Sequence, residues 1–191
     1  MNNTYFLMRH GESEANVSHL IISDPKVGCE FYGLTERGRE QTRASVKGSQ
    51  LSKYTKIICS DFLRTVETAK IVQETLRCEA PTLESGLRER FFGKFEGSSG
   101  HFYTEIWAHD KIDSIHTPHG AESPKHLAYR AKRTLARLDE KYNSEVILLI
   151  SHGDTLRFLQ LAMAERLLTE HLEIALFKPA EIRALNDLPK A

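Results

Sequence analysis

In Glu145-Val146-Ile147-Leu148-Leu149-Ile150-Ser151-His152-Gly153, five consecutive aliphatic residues lead through one serine into a histidine and a glycine. A short unbroken apolar run is the mark of a strand covered on both faces, as in a parallel sheet, because a half-exposed strand alternates instead. The pattern recurs on the N-terminal side. Tyr5-Phe6-Leu7-Met8 runs into Arg9-His10-Gly11-Glu12-Ser13, and Lys56-Ile57-Ile58-Cys59 runs into Ser60-Asp61. Helical segments lie between these strands. Ser13-Glu14-Ala15-Asn16 feeds one, Thr35 is placed as the N-cap of another reaching about Leu51, and Ser60-Asp61 is read as the cap of a helix to about Leu76. Ser123-Pro124 starts a helix to about Asn143, with proline at the first helical position, and Thr155 to Glu165 is helical. Strands alternating with helices predict an α/β fold: a three-layer α/β/α sandwich around a mostly parallel central sheet. Ile21 to Tyr32 reads as a loop, Leu83 to Leu87 as extended, and the chain after Lys178 as a polar tail that ends weakly.

The 191 residues suit one domain spanning 1–191, with 93–120 as an irregular lid or insertion marked by glycines at 93, 97, 100 and 120. Lys+Arg and Asp+Glu both number 26, so no net charge draws the chain to nucleic acid or an anionic membrane. Neither a signal peptide nor a membrane helix is legible. Cys29, Cys59 and Cys78 are odd in number and widely spaced, which points to reduced thiols and a cytoplasmic setting. No heptad pattern or exposed apolar seam indicates an oligomer.

Ligands of parallel sheets bind beyond the C-terminal ends of the strands. Arg9-His10, Ser60-Asp61 with Arg64 one turn on, and His152-Gly153 all follow strands, so they converge despite their separation in sequence. A phosphomonoester dianion needs several fixed donors, and the planar fork of arginine is the best single supplier. Arg9 and Arg64 are the candidates, with Asn16 as a neutral donor and helix N-terminal backbone N–H groups, that of Gly153 among them. His10 is the candidate nucleophile, one ring nitrogen attacking phosphorus while the other donates to a backbone carbonyl. His152 would stabilise the equatorial oxygens during transfer. Glu89, amid Phe91 and Phe92, would protonate the leaving alkoxide and then activate water. Singly, each has an ordinary alternative: Asn16 as a helix cap, Arg64 as a surface group, Glu89 as an ion-pair partner of Arg88 or Arg90.

Five stretches in order carry a resemblance: Leu7 to Asn16, Leu34-Thr35-Glu36-Arg37-Gly38, Ser60 to Ala69, Leu87 to Gly97, and Ser151-His152-Gly153. Together they resemble the histidine phosphatase superfamily, the phosphoglycerate mutase-like group, over residues 5 to about 160. The resemblance implies a phosphohistidine at His10, a phosphate pocket of Arg9, Arg64 and His152 with Asn16 contributing, Glu89 as acid then base, and neither metal nor other cofactor. It weighs against a metal reading of His116-x-x-His119.

The partner implied is a small phosphorylated substrate. The cofactor-dependent phosphoglycerate mutases carry a longer inserted segment after the motif seen here as Glu89-Arg90-Phe91-Phe92-Gly93, rich in basic residues. In this chain the segment from Gly97 to Gly120 is short, with Lys111 and the histidines His101, His109, His116 and His119. Hydrolysis of a phosphomonoester is therefore the first expectation and mutase activity the second. A non-catalytic phosphate-binding protein is disfavoured because nucleophile and acid are both present. Phe91, Phe92, Phe95, Phe102 and Trp107 are read as either an apolar wall of the site or ordinary core.

Overall fold

A computed structural model describes residues 1–191. The central sheet has five strands: β1 (Thr4–Arg9), β2 (Lys56–Cys59), β3 (Thr82–Leu83), β4 (Val146–Ser151) and β5 (Ile182–Ala184), in the order β3-β2-β4-β1-β5. All neighbours are parallel except β5, which runs antiparallel to β1. Because side chains alternate along a strand, each apolar run supplies both faces. Tyr5 and Leu7 of β1 pack with Ile147 and Leu149 of β4 on one face. Phe6 and Met8 pack with Leu148 and Ile150 on the other.

Helices cover both faces, giving three layers. The first face is closed by α6 (Pro124–Lys141) and α7 (Gly153–Met163) through Ala131, Leu135, Leu156 and Leu159. The second is closed by α3 (Glu36–Lys47) and α4 (Leu63–Leu76) through Val46, Ala69 and Val72. Two short helices, α1 (Glu14–Val17) and α2 (Pro25–Gly28), lie between β1 and α3. A further helix, α5 (Tyr103–Asp110), sits inside the glycine-rich segment. No helix is long and apolar enough to cross a membrane.

The structure departs from the sequence reading at several points. Residues 21–32 are not all loop, since Asp24 caps α2, accepting from the Lys26 amide at 2.9 Å with Pro25 in the first turn. Ser60 and Asp61 do not cap α4. Its N-cap position is Phe62, without a side-chain cap, while Asp61 accepts two hydrogen bonds from Arg88 at 2.8 and 2.5 Å. Extended structure at 83–87 is confined to Thr82–Leu83, after which Ser85–Leu87 coils into a 3-10 turn. The tail after Lys178 contributes β5, whose Ile182-Arg183-Ala184 is too short and too mixed in polarity to read as a strand. Helix α7 begins at Gly153, immediately after the histidine.

One close approach fixes the loop after β1. A Cβ on Gly11 would lie 2.4 Å from the Gly38 carbonyl oxygen, and a Cβ on Gly38 would lie 2.0 Å from that of Glu12. Both distances are far inside contact, so the Arg9-His10-Gly11 loop and the first turn of α3 touch backbone to backbone. Thr35 caps α3, accepting from the Gly38 amide at 3.0 Å, and also donates to Glu12 at 2.9 Å, tying that turn to the same loop. Cys59 fills the core beside Met8 and Ile150, and burial pushes its thiol up to about 12. The three cysteines are unpaired.

Candidate active site

The parallel register of β1 with β4 pairs Arg9 with Ser151, so the next residues, His10 and His152, leave adjacent strands side by side. The His10 amide donates to the Ser151 carbonyl at 3.1 Å, and the two imidazoles meet edge to face with centroids 5.3 Å apart. Strand β2 ends at the same level, where the Ser60 amide donates to the Ile150 carbonyl at 3.0 Å.

Both rings are buried, and their hydrogen bonds define their tautomers. Nδ1 of His10 lies 2.7 Å from the Gly11 carbonyl oxygen, which only accepts, so Nδ1 carries the proton. Nε2 then holds a lone pair and accepts from Arg64 Nε at 3.2 Å. Burial, with the cations of Arg64 and Arg9 alongside, holds His10 well below the usual histidine range, so the ring is neutral at pH 7. Nε2 of His152 lies 3.0 Å from Ser60 Oγ. That hydroxyl already accepts from the Phe62 amide at 3.3 Å, leaving its own proton to donate to Nε2. With Ser60 as the donor to Nε2, the proton of His152 sits on Nδ1, and that nitrogen is buried without a partner. Burial and Arg64 hold this ring neutral as well.

Two guanidinium groups flank the pair. Arg64 donates through Nη2 to the Ile22 carbonyl at 2.9 Å and leaves Nη1 buried without a partner. Arg9 donates to the Phe177 carbonyl at 2.7 Å and leaves Nε unpartnered. A buried donor left unsatisfied costs on the order of 1–3 kcal/mol. Arg9, Arg64 and His152 each hold one, and an anion is what would satisfy them together. Arg9 also lines a cavity of about 390 Å³ with Asn16, Glu89, Gly153 and Asp154. Asn16 serves as cap and wall at once: its Oδ1 accepts from the Ser13 amide at 3.0 Å in a capping box, while the residue faces the cavity.

Glu89 reaches the site from the opposite edge of the sheet. Ser151 Oγ donates to the Leu87 carbonyl at 2.6 Å and Thr155 Oγ1 to that of Arg88 at 2.8 Å, which holds the segment against the start of α7. One carboxyl oxygen of Glu89 accepts from the Arg90 amide at 2.9 Å. Burial, then the nearby Asp154 carboxylate, push Glu89 up to about 7 against the opposing pull of Arg64. Glu89 is not the ion-pair partner of Arg88 or Arg90: Arg88 pairs with Asp61 and Arg90 with Asp110. All six side chains expected at the site are thus brought to one end of the sheet, with Gly153 at the first turn of α7.

The aromatic residues divide. Phe92 and Phe95 pack with Ile21, Ile106 and Ala121 as a small core of their own, against which Phe102 lies. Phe91 is partly exposed, and Trp107 faces the cavity. Of the loop histidines, His101 lines the cavity. His116 and His119 face different carboxylates, Asp110 at 2.8 Å and Glu105 at 2.9 Å, and His109 stands beside His116.

Sequence reasoning missed the groups that brace the site. Ser60 has the identity of a helix cap, but it stands 3.0 Å from the ring nitrogen of His152. Arg90 and Asp110, both fully buried, form a two-pronged pair at 2.5 and 2.8 Å that anchors α5 beneath the cavity. Asp110→Asn would take from Arg90 the carboxylate that binds both of its terminal nitrogens, leaving Asp154 at 3.8 Å as its nearest counter-charge, and breaking a buried pair from one side costs about 3–5 kcal/mol. The urea midpoint of this variant is expected to fall accordingly; a loss under about 1 kcal/mol, the worth of a surface pair, would show that the anchor is dispensable.

Residues 5–186 match the histidine phosphatase superfamily (branch 1). The chain belongs to this superfamily. Among its relatives, a probable phosphoglycerate mutase GpmB of Photorhabdus laumondii is 34% identical over 155 residues, covering 78% of this chain and 68% of that protein. The agropine synthesis reductase of Rhizobium rhizogenes is 27% identical over 177 residues; the match takes in 88% of this chain but only 37% of that longer protein. A mycobacterial glucosyl-3-phosphoglycerate phosphatase shares the fold with a TM-score of 0.80 at 19% identity, over 97% of this chain and 95% of that one. The histidine phosphatase fold is thus present through nearly the whole chain, and the neighbours of this superfamily member include both phosphatases and mutase-like proteins.

Proposed function

We propose that this histidine phosphatase superfamily member is a phosphomonoester hydrolase that works through a covalent phosphohistidine on His10. The observation that carries this reading is the state of the His10 ring. It is neutral, with Nδ1–H fixed on the Gly11 carbonyl and the lone pair of Nε2 directed to Arg64, beside His152. A substrate phosphate takes the free donors of Arg9, Arg64 and His152, and the Arg64 N–H now on Nε2 turns to a phosphate oxygen. Nε2 attacks phosphorus as the bond to the alcohol oxygen breaks, and Glu89 gives that oxygen its proton. Ionised Glu89 then takes a proton from water as the water oxygen attacks phosphorus and the N–P bond breaks. His10 is left neutral and inorganic phosphate is released. The chain is read as one domain, with 93–120 roofing the cavity.

Mutase activity is the second reading, favoured by the GpmB relative. Hydrolysis ranks first because the cavity wall brings no lysine or arginine besides Arg9 to hold a second anionic group. Rapid mixing with a phosphomonoester and alkaline quenching, followed by mass spectrometry, is expected to find the phosphoryl group on His10. A turning-over enzyme without that adduct would overturn the mechanism. Fast isomerisation of 3-phosphoglycerate in the presence of a bisphosphoglycerate primer, with little free phosphate, would reverse the order of the two readings.

A further inference from the structure

Resting on that reading, the remainder of the cavity speaks to the alcohol half of the substrate. Asp154 follows the His152-Gly153 pair in the first turn of α7 and lines the cavity, although only 3% of its surface is exposed. Its Oδ2 accepts from Trp107 Nε1 at 2.9 Å and stands 3.8 Å from Arg90 Nη1, whose own bonds go to Asp110. Oδ1 has no hydrogen-bond partner in the protein. That oxygen is open to the cavity, where a donor on a bound molecule reaches it.

The surroundings leave few protein groups to do so. Tyr103 and Trp107 stack with centroids 5.4 Å apart and form an aromatic wall beside Asp154. His19 and His101 stand at the exposed mouth. Arg9, the one guanidinium on the wall, is assigned to the phosphate. The next cation, Arg157, lies behind the indole, 5.5 Å from the Trp107 ring centroid, and does not line the cavity. Besides Glu89, Asp154 is the one carboxyl group on the cavity wall.

We propose that Asp154 selects the alcohol half of the substrate: it pairs with a hydrogen-bond donor, an ammonium or hydroxyl group, on the carbon skeleton and turns away skeletons that bear a second anion. A donor gains a charge-assisted hydrogen bond on the open carboxylate oxygen, whereas a second carboxylate meets like charge, and Arg90 and Arg157, the cations next to Asp154, lie off the cavity wall. The favoured substrates are thus monophosphates of amino alcohols or polyols, small enough to lie against the Tyr103–Trp107 wall.

The test is the specificity ratio kcat/KM for O-phosphoethanolamine, glycerol 3-phosphate and 3-phosphoglycerate, in the wild type, Asp154→Asn and Trp107→Phe. All three substrates expel an alkyl alcohol, so any effect of a substitution on the chemistry of Glu89 cancels in the ratio. The wild type is expected to favour the better of the two substrates that carry a donor and no carboxylate over 3-phosphoglycerate, which carries both, by about tenfold or more, the discrimination that one well-placed polar group provides. Asp154→Asn is expected to shrink that preference about tenfold, and Trp107→Phe, which keeps the carboxylate, to preserve it. Preference for phosphoethanolamine would assign the donor as ammonium, and preference for glycerol 3-phosphate as hydroxyl. The proposal is overturned by a wild type that favours 3-phosphoglycerate, by an unchanged ratio in Asp154→Asn, or by an equal collapse in both variants, which would assign discrimination to the packing of α5. Loss of p-nitrophenyl phosphate turnover in His10→Ala separates the two levels. If His10 is dispensable, the hydrolase mechanism itself fails; if it is required and the ratio does not respond to Asp154, only this inference fails.

Discussion

Replacing His10 with alanine is expected to lower kcat for p-nitrophenyl phosphate by about four orders of magnitude or more, the scale on which removal of a covalent nucleophile registers. No neighbouring group is placed to substitute. Nε2 of His152 is occupied by Ser60, and the thiol of Cys59, pushed up to about 12 by burial, is protonated and lies in the core. The substitution leaves Arg9, Arg64 and His152 in place, so binding of inorganic phosphate measured by calorimetry is expected to survive while turnover does not. That split distinguishes loss of the nucleophile from collapse of the pocket. The fold tolerates the change because His10 makes two hydrogen bonds of its own, one to the Gly11 carbonyl and one from Arg64, each worth about 1 kcal/mol net. An alanine variant that kept turnover within about tenfold of the wild type would exclude a phosphohistidine on this residue.

The site was legible in the sequence to the extent that strand ends announce it. Apolar runs followed at once by Arg9-His10, Ser60 and His152 predict convergence because parallel strands end at one edge, and the Arg9–Ser151 register places His10 and His152 on the same level. Helix starts with a side-chain signal were legible too: Thr35 accepts from the Gly38 amide and Ser123 from that of His126, as their identities require. What escaped was set by distant partners. Asp61 looks like a cap until Arg88, which arrives from another element, claims both of its oxygens. Residues 182–184 look like tail because a three-residue edge strand carries no periodicity; antiparallel pairing with β1 makes it a strand. Arg90 and Asp110 were inconspicuous in a run of charged and aromatic residues, and nothing local shows that the two meet in the interior. Asp154, directly after the His-Gly pair, reads as an ordinary acidic residue in the first turn of a helix, and only its contact with Trp107 from a distant element shows that it faces the cavity.

Glu89→Gln is expected to divide substrates by their leaving groups. An alkoxide needs a proton as the P–O bond breaks, and a positioned acid contributes about 10²–10⁴-fold to such a step. For an alkyl phosphate the variant is therefore expected to lose that factor in the phosphorylation of His10. Nitrophenolate leaves with little help, so p-nitrophenyl phosphate should still phosphorylate His10. In the proposed mechanism, however, the same carboxyl group is the base for the water that releases phosphate. Stopped-flow traces of the variant with p-nitrophenyl phosphate are then expected to show a burst of nitrophenolate equal to the enzyme, slow turnover, and accumulated phosphoenzyme, with no burst for an alkyl phosphate. Equal losses on both substrates without a burst would remove Glu89 from the acid role. The pH dependence carries the same signature. Glu89, pushed up to about 7 chiefly by burial, is the acid only while protonated, so phosphorylation by alkyl phosphates is expected to fall as pH rises through about 7, and the limb should vanish in Glu89→Gln. His10, held well below its ordinary value, stays a free base through this range and adds no opposing limb there. Stability should mirror activity. Between its ordinary value of 4.5 and about 7, Glu89 is protonated in the native state and ionised in the unfolded chain. The native state therefore binds more protons, and stability falls as pH rises across that window. Glutamine carries no charge to bury, so above pH 7 the variant is expected to melt at a higher temperature than the wild type, by the stability that burial of the Glu89 carboxylate gives up.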